Sequence, residues 1–143
     1  MKILKIVIAG IVFAIIAQII HTVESMATMN FYTDPTYFGV WSKIMMPGEG
    51  PPPSDFYIYS IVFSIITGII YAVAYSMIKK SVPGKTLINK GLYFGFFLFM
   101  LAIPWSLTMY LLINLPATLL VYWAVSGLII NLIFGIIIAR LMK

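Results

Sequence analysis

The feature that most constrains this chain is an uncharged, largely apolar stretch from Phe56 to Ile78. It is 23 residues long, and a helix of that length rises about 34 Å, enough to cross the hydrocarbon core of a bilayer. Lipid offers no hydrogen bonds to the backbone, and a helix satisfies its own peptide groups. We therefore predict that the chain crosses a membrane here as a helix.

Three more apolar blocks accompany this stretch, and the composition agrees with them. Hydrophobic residues make up 62% of the chain and charged residues 9%, whereas soluble domains carry about 25% charged residues. The predicted fold class is all-α, an integral membrane four-helix bundle with up-down-up-down topology. It forms a single transmembrane domain, residues 1–143, with spans at 3–23, 56–78, 87–113 and 116–141, an external loop at 24–55 and a cytoplasmic loop at 79–86.

The first block also resembles a secretory signal peptide, with a basic start, an apolar run and small residues near Ala27 for cleavage. Its uncharged run exceeds the usual length of a signal core, so we expect a retained first helix.

The external loop carries structural signals of its own. Asp34-Pro35 is a favourable N-cap and first-turn pair, and Pro47-Gly48 would end a helix. We predict a short amphipathic interfacial helix at residues 35–46. Its apolar face would hold Phe38, Trp41 and Met45.

The charged residues predict the orientation, because Lys and Arg gather in cytoplasmic loops. We expect a multi-pass protein of the cell membrane (inner or plasma membrane) with both termini cytoplasmic. The cytoplasmic side would then carry Lys2, Lys5, Lys79, Lys80, Lys85, Lys90, Arg140 and Lys143. The external side would carry Lys43 and all four acids, Glu24, Asp34, Glu49 and Asp55.

Several classes of function are disfavoured by composition. The net charge of +5 does not indicate nucleic-acid binding, because the basic residues form no stripe. The absence of cysteine excludes disulfides and thiolate metal sites. No charged residue lies in the middle of a span, where ion-coupled pumps usually carry one. We expect no cofactor, and the lipid bilayer is the first partner.

Small residues at four-residue spacing mark helix faces that a neighbouring backbone can approach closely. The second span has such a stripe, which marks it as the central packing strut, and the third has a GxxxG pair. The predicted packing positions are Ser60, Ser64, Gly68, Ala72, Ser76, Gly91, Gly95, Gly127 and Gly135.

A polar cluster ends the first span, where Gln18, His21 and Glu24 share a helix face with Ser25 and Thr28. His21 and Glu24 could form a proton-transfer pair, since His titrates near neutral pH, or the cluster could simply mark the helix reaching the interface. Met26 and Met29 on the same side make His21 a weak candidate for a soft-metal site.

Polar residues inside the later spans permit two interpretations. Asn131, Ser126, Ser106 and Thr67 could line a solute path, with Gln18 and His21 at its external mouth, or they could bond between helices.

Three functional hypotheses follow. The first is a non-enzymatic membrane protein that acts through helix packing, as a homo-oligomer or as an accessory subunit of a larger membrane partner. The alternative is a small transporter or channel for a neutral or lipophilic solute. The third is a membrane enzyme or soft-metal binder that uses His21 and Glu24.

Overall fold

The computed structural model describes residues 2–48 and 50–143, and it contains only helices, turns and extended connections over that part of the chain. Glu49, which the charge pattern assigns to the external side, lies outside the described residues. Four helices are long and apolar enough to cross a membrane, which confirms the predicted fold class. In chain order the α-helices are α1 (Lys2–Ala27), α2 (Met29–Thr33), α3 (Ser54–Ile78), α4 (Leu87–Leu112) and α5 (Ala117–Leu141).

The two ends of the bundle differ in what they carry. We call the end with residues 2 and 143 the termini end, and the end with residues 28–53 the loop end. Apart from the short α2, each helix runs from one end to the other and the next returns, so the four long helices alternate in direction as predicted.

Two helices, α1 and α5, occupy the middle of the bundle. Helix α1 packs against α3 on one side and α5 on the other, α5 in turn packs along α4, and α3 and α5 barely touch. The prediction that the helix at 56–78 is the central strut is therefore wrong. Its small residues form one face, and that face has α1 as its principal neighbour.

The small-residue face of α3 meets α1 at a close backbone contact. A Cβ atom added to Gly68 would lie 2.9 Å from the Cα of Gly10, and one added to Gly10 would lie 2.8 Å from the carbonyl oxygen of Ile65. One turn further along α3, Ala72 is fully buried. Ser60 and Ser64, towards the loop end, and Ser76, towards the termini end, are half-buried.

The closest helix contact in the structure joins α4 and α5. A Cβ atom on Gly95 would lie 2.8 Å from the Cα of Leu132, and one on Gly135 would lie 3.0 Å from the Cα of Gly95. A Cβ on Gly91 would likewise overlap the backbone of α5 at Gly135. Gly127 was predicted to be a packing position as well, but nothing lies within 4 Å of the place its Cβ would take. Gly127 shares a register with Gly135, but it lies about two turns nearer the loop end.

Aromatic rings close the bundle towards the termini end. Phe13 of α1 meets Phe134 of α5 edge to face, with ring centroids 5.0 Å apart, and meets Tyr71 of α3 at 5.5 Å. Tyr75 of α3 reaches Phe94 of α4 at 4.9 Å. Edge-to-face pairs at these distances stabilise a packed core beyond the area they bury. All four long helices therefore meet in this half.

The loop differs from its prediction. Asp34 does cap a helix: its Oδ1 accepts from the N–H of Thr36 at 2.9 Å, and this bond lowers the pKa of the carboxyl group. The helix that follows is a 3₁₀-helix of six residues, Pro35–Val40, and residues 35–46 do not form one amphipathic helix. The chain is extended at Trp41, and the ring of Trp41 lies 5.0 Å from that of Tyr32. Helical structure also continues into the first part of the predicted loop, where α1 extends to Ala27 and α2 follows it.

Two glycines on α5 make a matched pair of variants. We expect Gly135→Ala to lower the free energy of unfolding by about 1–3 kcal/mol, because the added methyl forces two backbones apart. Gly127→Ala meets open space, so it should be neutral or slightly stabilising. Far-UV circular dichroism during unfolding in mixed micelles measures both, and equal losses in the two variants would contradict the described contact.

Candidate ligand-binding groove

A groove of about 700 Å³ runs along the seam between α1 and α3 in the half of the bundle nearer the loop end. We call it the α1–α3 groove. Apolar atoms form most of its wall, and it is partly open to the surroundings. Its lining residues are Phe13, Ala17, His21, Ser42, Ile44, Phe56, Tyr59, Ser60, Phe63, Ser64 and Thr67.

The α1–α3 groove reaches from the loop end to the middle of the bundle. Its lining ends at Phe13 on α1 and Thr67 on α3, and Phe13 packs against Tyr71 and Phe134. Ser42 and Ile44 of the connecting segment line the groove at the loop end, which we call its mouth.

Polar groups along the groove are arranged by hydrogen bonds within and between the two helices. Gln18 Nε2 donates to Ser60 Oγ at 2.8 Å, which ties α1 to α3. The hydroxyl of Thr67 donates to the carbonyl oxygen of Phe63, one turn earlier, at 2.8 Å. The Ser60 hydroxyl keeps its own hydrogen for a further acceptor. Hydroxyl groups thus stand on an otherwise apolar α3 wall.

His21 and Glu24 lie close together, but they differ in exposure. The His21 side chain is 51% exposed and lines the groove, whereas the Glu24 side chain is 8% exposed. His21 Nδ1 lies 3.7 Å from Glu24 Oε2, which is longer than a hydrogen bond. The two side chains are thus neighbours, one in the groove lining and the other buried beside it.

The buried side of Glu24 belongs to a second polar cluster. The hydroxyl of Thr28, which is fully buried, lies 2.9 Å from both Oε1 and the carbonyl oxygen of Glu24. Trp123 Nε1 of α5 donates to the hydroxyl of Tyr32 at 3.2 Å. Burial raises the pKa of the Tyr32 phenol, and the nearby Glu24 carboxylate adds to the rise. This cluster anchors α2 and the start of the loop on α1 and α5.

Sequence patterns did not indicate several of these residues. Ser42 and Ile44 reach the groove from a connecting segment, and Tyr32 meets Trp123 across 91 positions in the chain. For Tyr32 and Trp123 the sequence offers only the general preference of Tyr and Trp for membrane interfaces. That preference does not indicate which residues contact each other.

The structure does not bring the residues of the predicted solute path together in one cavity. Thr67 lines the α1–α3 groove, but Asn131, Ser126 and Ser106 lie on α4 and α5, on the other side of α1. Ser126 bonds back to Trp123 and Ser106 to Ala102, each within its own helix. Asn131 is buried at the α4–α5 contact, and its Oδ1 has no hydrogen-bond partner among the described residues.

The weak metal candidates Met26 and Met29 lie at the surface, with 72% and 51% of each residue exposed. Across residues 2–48 and 50–143, no group of three or more His, Cys, Asp or Glu side chains is placed to hold a metal ion.

No protein-family model, curated protein or solved structure matched this chain. The function must therefore be argued from its own residues.

Thr28 and Thr22 give a test of the buried cluster. Thr28→Val keeps the shape but removes the hydroxyl that faces Glu24, so we expect a loss of about 1–3 kcal/mol in unfolding free energy. Thr22→Val is the control, because Thr22 is exposed and its hydroxyl bonds only to the Gln18 carbonyl oxygen, at 2.7 Å. Chemical unfolding in mixed micelles measures both variants, and a Thr28→Val protein as stable as the control would show that the buried hydroxyl does not hold the cluster.

Proposed function

We propose that this small polytopic membrane protein binds a lipophilic solute in the α1–α3 groove and acts as a binding protein or carrier for it. The observation that carries the proposal is the groove itself, with apolar walls, a few hydroxyl groups and one imidazole. Ligand sites in proteins are commonly of this kind, mostly apolar with a small number of placed polar groups, and of about 300–1,000 Å³.

The extent of the groove favours a binding site over a continuous channel, because its lining ends at Phe13 and Thr67 near the middle of the bundle. A solute that enters at the loop end meets Phe13, which is held from two sides by Tyr71 and Phe134. Passage to the other side of the membrane would require these three rings to separate. Transport, if it occurs, would thus be a step after binding and gated by this aromatic contact.

Action through helix packing, as a homo-oligomer or beside a larger membrane partner, stays a prediction. This hypothesis rests on the small-residue faces of the second and third spans, which a second chain could approach as closely as a neighbouring helix can. Gly68 and Ala72 instead pack against α1 or in the common core, and Gly91 and Gly95 pack against α5. These faces are used within the chain, so they no longer favour assembly over solute binding.

The third hypothesis, chemistry by His21 and Glu24, gains little support. The two side chains are 3.7 Å apart, and a general base needs a substrate proton within hydrogen-bond reach. We assign His21 to the groove lining and Glu24 to the cluster behind it.

The test fills the groove. Thr67→Phe places a ring on the wall of the groove, and Thr108→Phe is the control, because Thr108 lies on α4 and its hydroxyl makes the same bond to a carbonyl oxygen one turn earlier, at 2.9 Å. The probe is the neutral lipophilic dye N-phenyl-1-naphthylamine, added to protein in nanodiscs with empty nanodiscs subtracted. We expect protein-dependent fluorescence in the parent protein and in Thr108→Phe, and its loss in Thr67→Phe.

Two outcomes would overturn the proposal. One is equal dye binding by the two variants, which would place the dye outside the groove. The other is no protein-dependent signal even in the parent protein. Flux of the bound solute across proteoliposomes then separates a carrier from a protein that only binds.

A further inference from the structure

We propose that the α1–α3 groove selects a lipophilic cation, a positively charged molecule with an apolar body. This inference rests on the proposed function and specifies the charge of the solute. Two features support it: the aromatic side chains of the lining and the acidic residues that adjoin the lining.

Aromatic rings make up four of the eleven lining residues, namely Phe13, Phe56, Tyr59 and Phe63. Tyr59 and Phe63 lie one turn apart on α3 with ring centroids 6.2 Å apart and planes tilted by 31°, so they form a nearly continuous aromatic surface. Such faces carry negative charge density and attract cations within about 6 Å, more strongly where water is excluded. An apolar solute with a positive centre would gain from this surface.

The acidic residues next to the groove lining act in the same direction. The Glu24 carboxylate lies 3.7 Å from the groove residue His21, and Asp55 directly precedes the groove residue Phe56.

The lining itself contains no Lys or Arg. Lys43 stands between the mouth residues Ser42 and Ile44, but its side chain is exposed. The lining therefore offers an anionic solute no permanently charged cation to offset the hydration that it loses, which is costly. A cation meets four aromatic side chains in the lining, and two acidic residues, Glu24 and Asp55, adjoin lining residues.

The experiment compares two ions of nearly the same size and shape but opposite charge, tetraphenylphosphonium and tetraphenylborate. Each is added to protein in nanodiscs of neutral lipid, the free ion is read with an ion-selective electrode, and binding to empty nanodiscs is subtracted. We expect tetraphenylphosphonium to bind about tenfold more tightly than tetraphenylborate, as cation–π contacts of ordinary strength imply.

Three variants locate the effect. Phe63→Leu removes an aromatic face at a side chain that is 62% exposed, so the fold should be retained, and it should weaken tetraphenylphosphonium binding severalfold. Phe96→Leu is its control, because Phe96 is exposed on α4 and lies outside the groove. Glu24→Gln keeps an acceptor for Thr28 but removes the charge, so it should narrow the preference for the cation.

The outcomes separate this inference from the proposed function. If both ions bind equally, or the borate binds more tightly, and Thr67→Phe abolishes binding, the groove holds lipophilic solutes but does not select cations. If Phe63→Leu and Phe96→Leu bind tetraphenylphosphonium equally, the aromatic argument is wrong. If Thr67→Phe changes the binding of neither ion nor of the neutral dye, the groove is not the site and both proposals fail.

Discussion

Close contact between helix backbones at glycine is the interaction on which this structure depends. In lipid, apolar side chains gain nothing by turning away from their surroundings, so helices associate through packing and interhelical hydrogen bonds. Gly10 with Gly68 joins α1 to α3, and Gly91 and Gly95 with Gly135 join α4 to α5. These contacts, together with the rings of Phe13, Tyr71 and Phe134, leave the loop-end half of the α1–α3 seam free to form a groove.

Sequence patterns predicted the parts of this structure that depend on a single segment. The four spans follow from long, largely apolar runs. Their observed ends lie within a few residues of the predicted ones because Pro, Gly and charged residues flank these runs. The cap at Asp34 was likewise predictable, since it depends only on Asp34 and the two residues that follow it.

The predictions that were wrong concern which face of a helix contacts which neighbouring element. Gly127 and Gly135 have the same residue type and register, yet one meets open space and the other meets α4, because a repeat specifies a face but not where along it the partner crosses. Trp41 fits a helical repeat with Phe38, but its backbone is extended and its ring packs against Tyr32. The groove draws on α1, α3 and the connecting segment at once, so no local pattern could define it.

The position of α1 between α3 and α5 has a consequence for how the chain is assembled. Helix α1 precedes both of these neighbours in the chain, and α5 is made after α3 and α4. The hairpin of α4 and α5 can form as a local unit. Its flanking residues Val82 and Met142 are buried in the common core at the termini end. A partly synthesised chain therefore leaves the face of α1 that contacts α5 bare until α5 has been made, an interval in which that face is open to wrong partners.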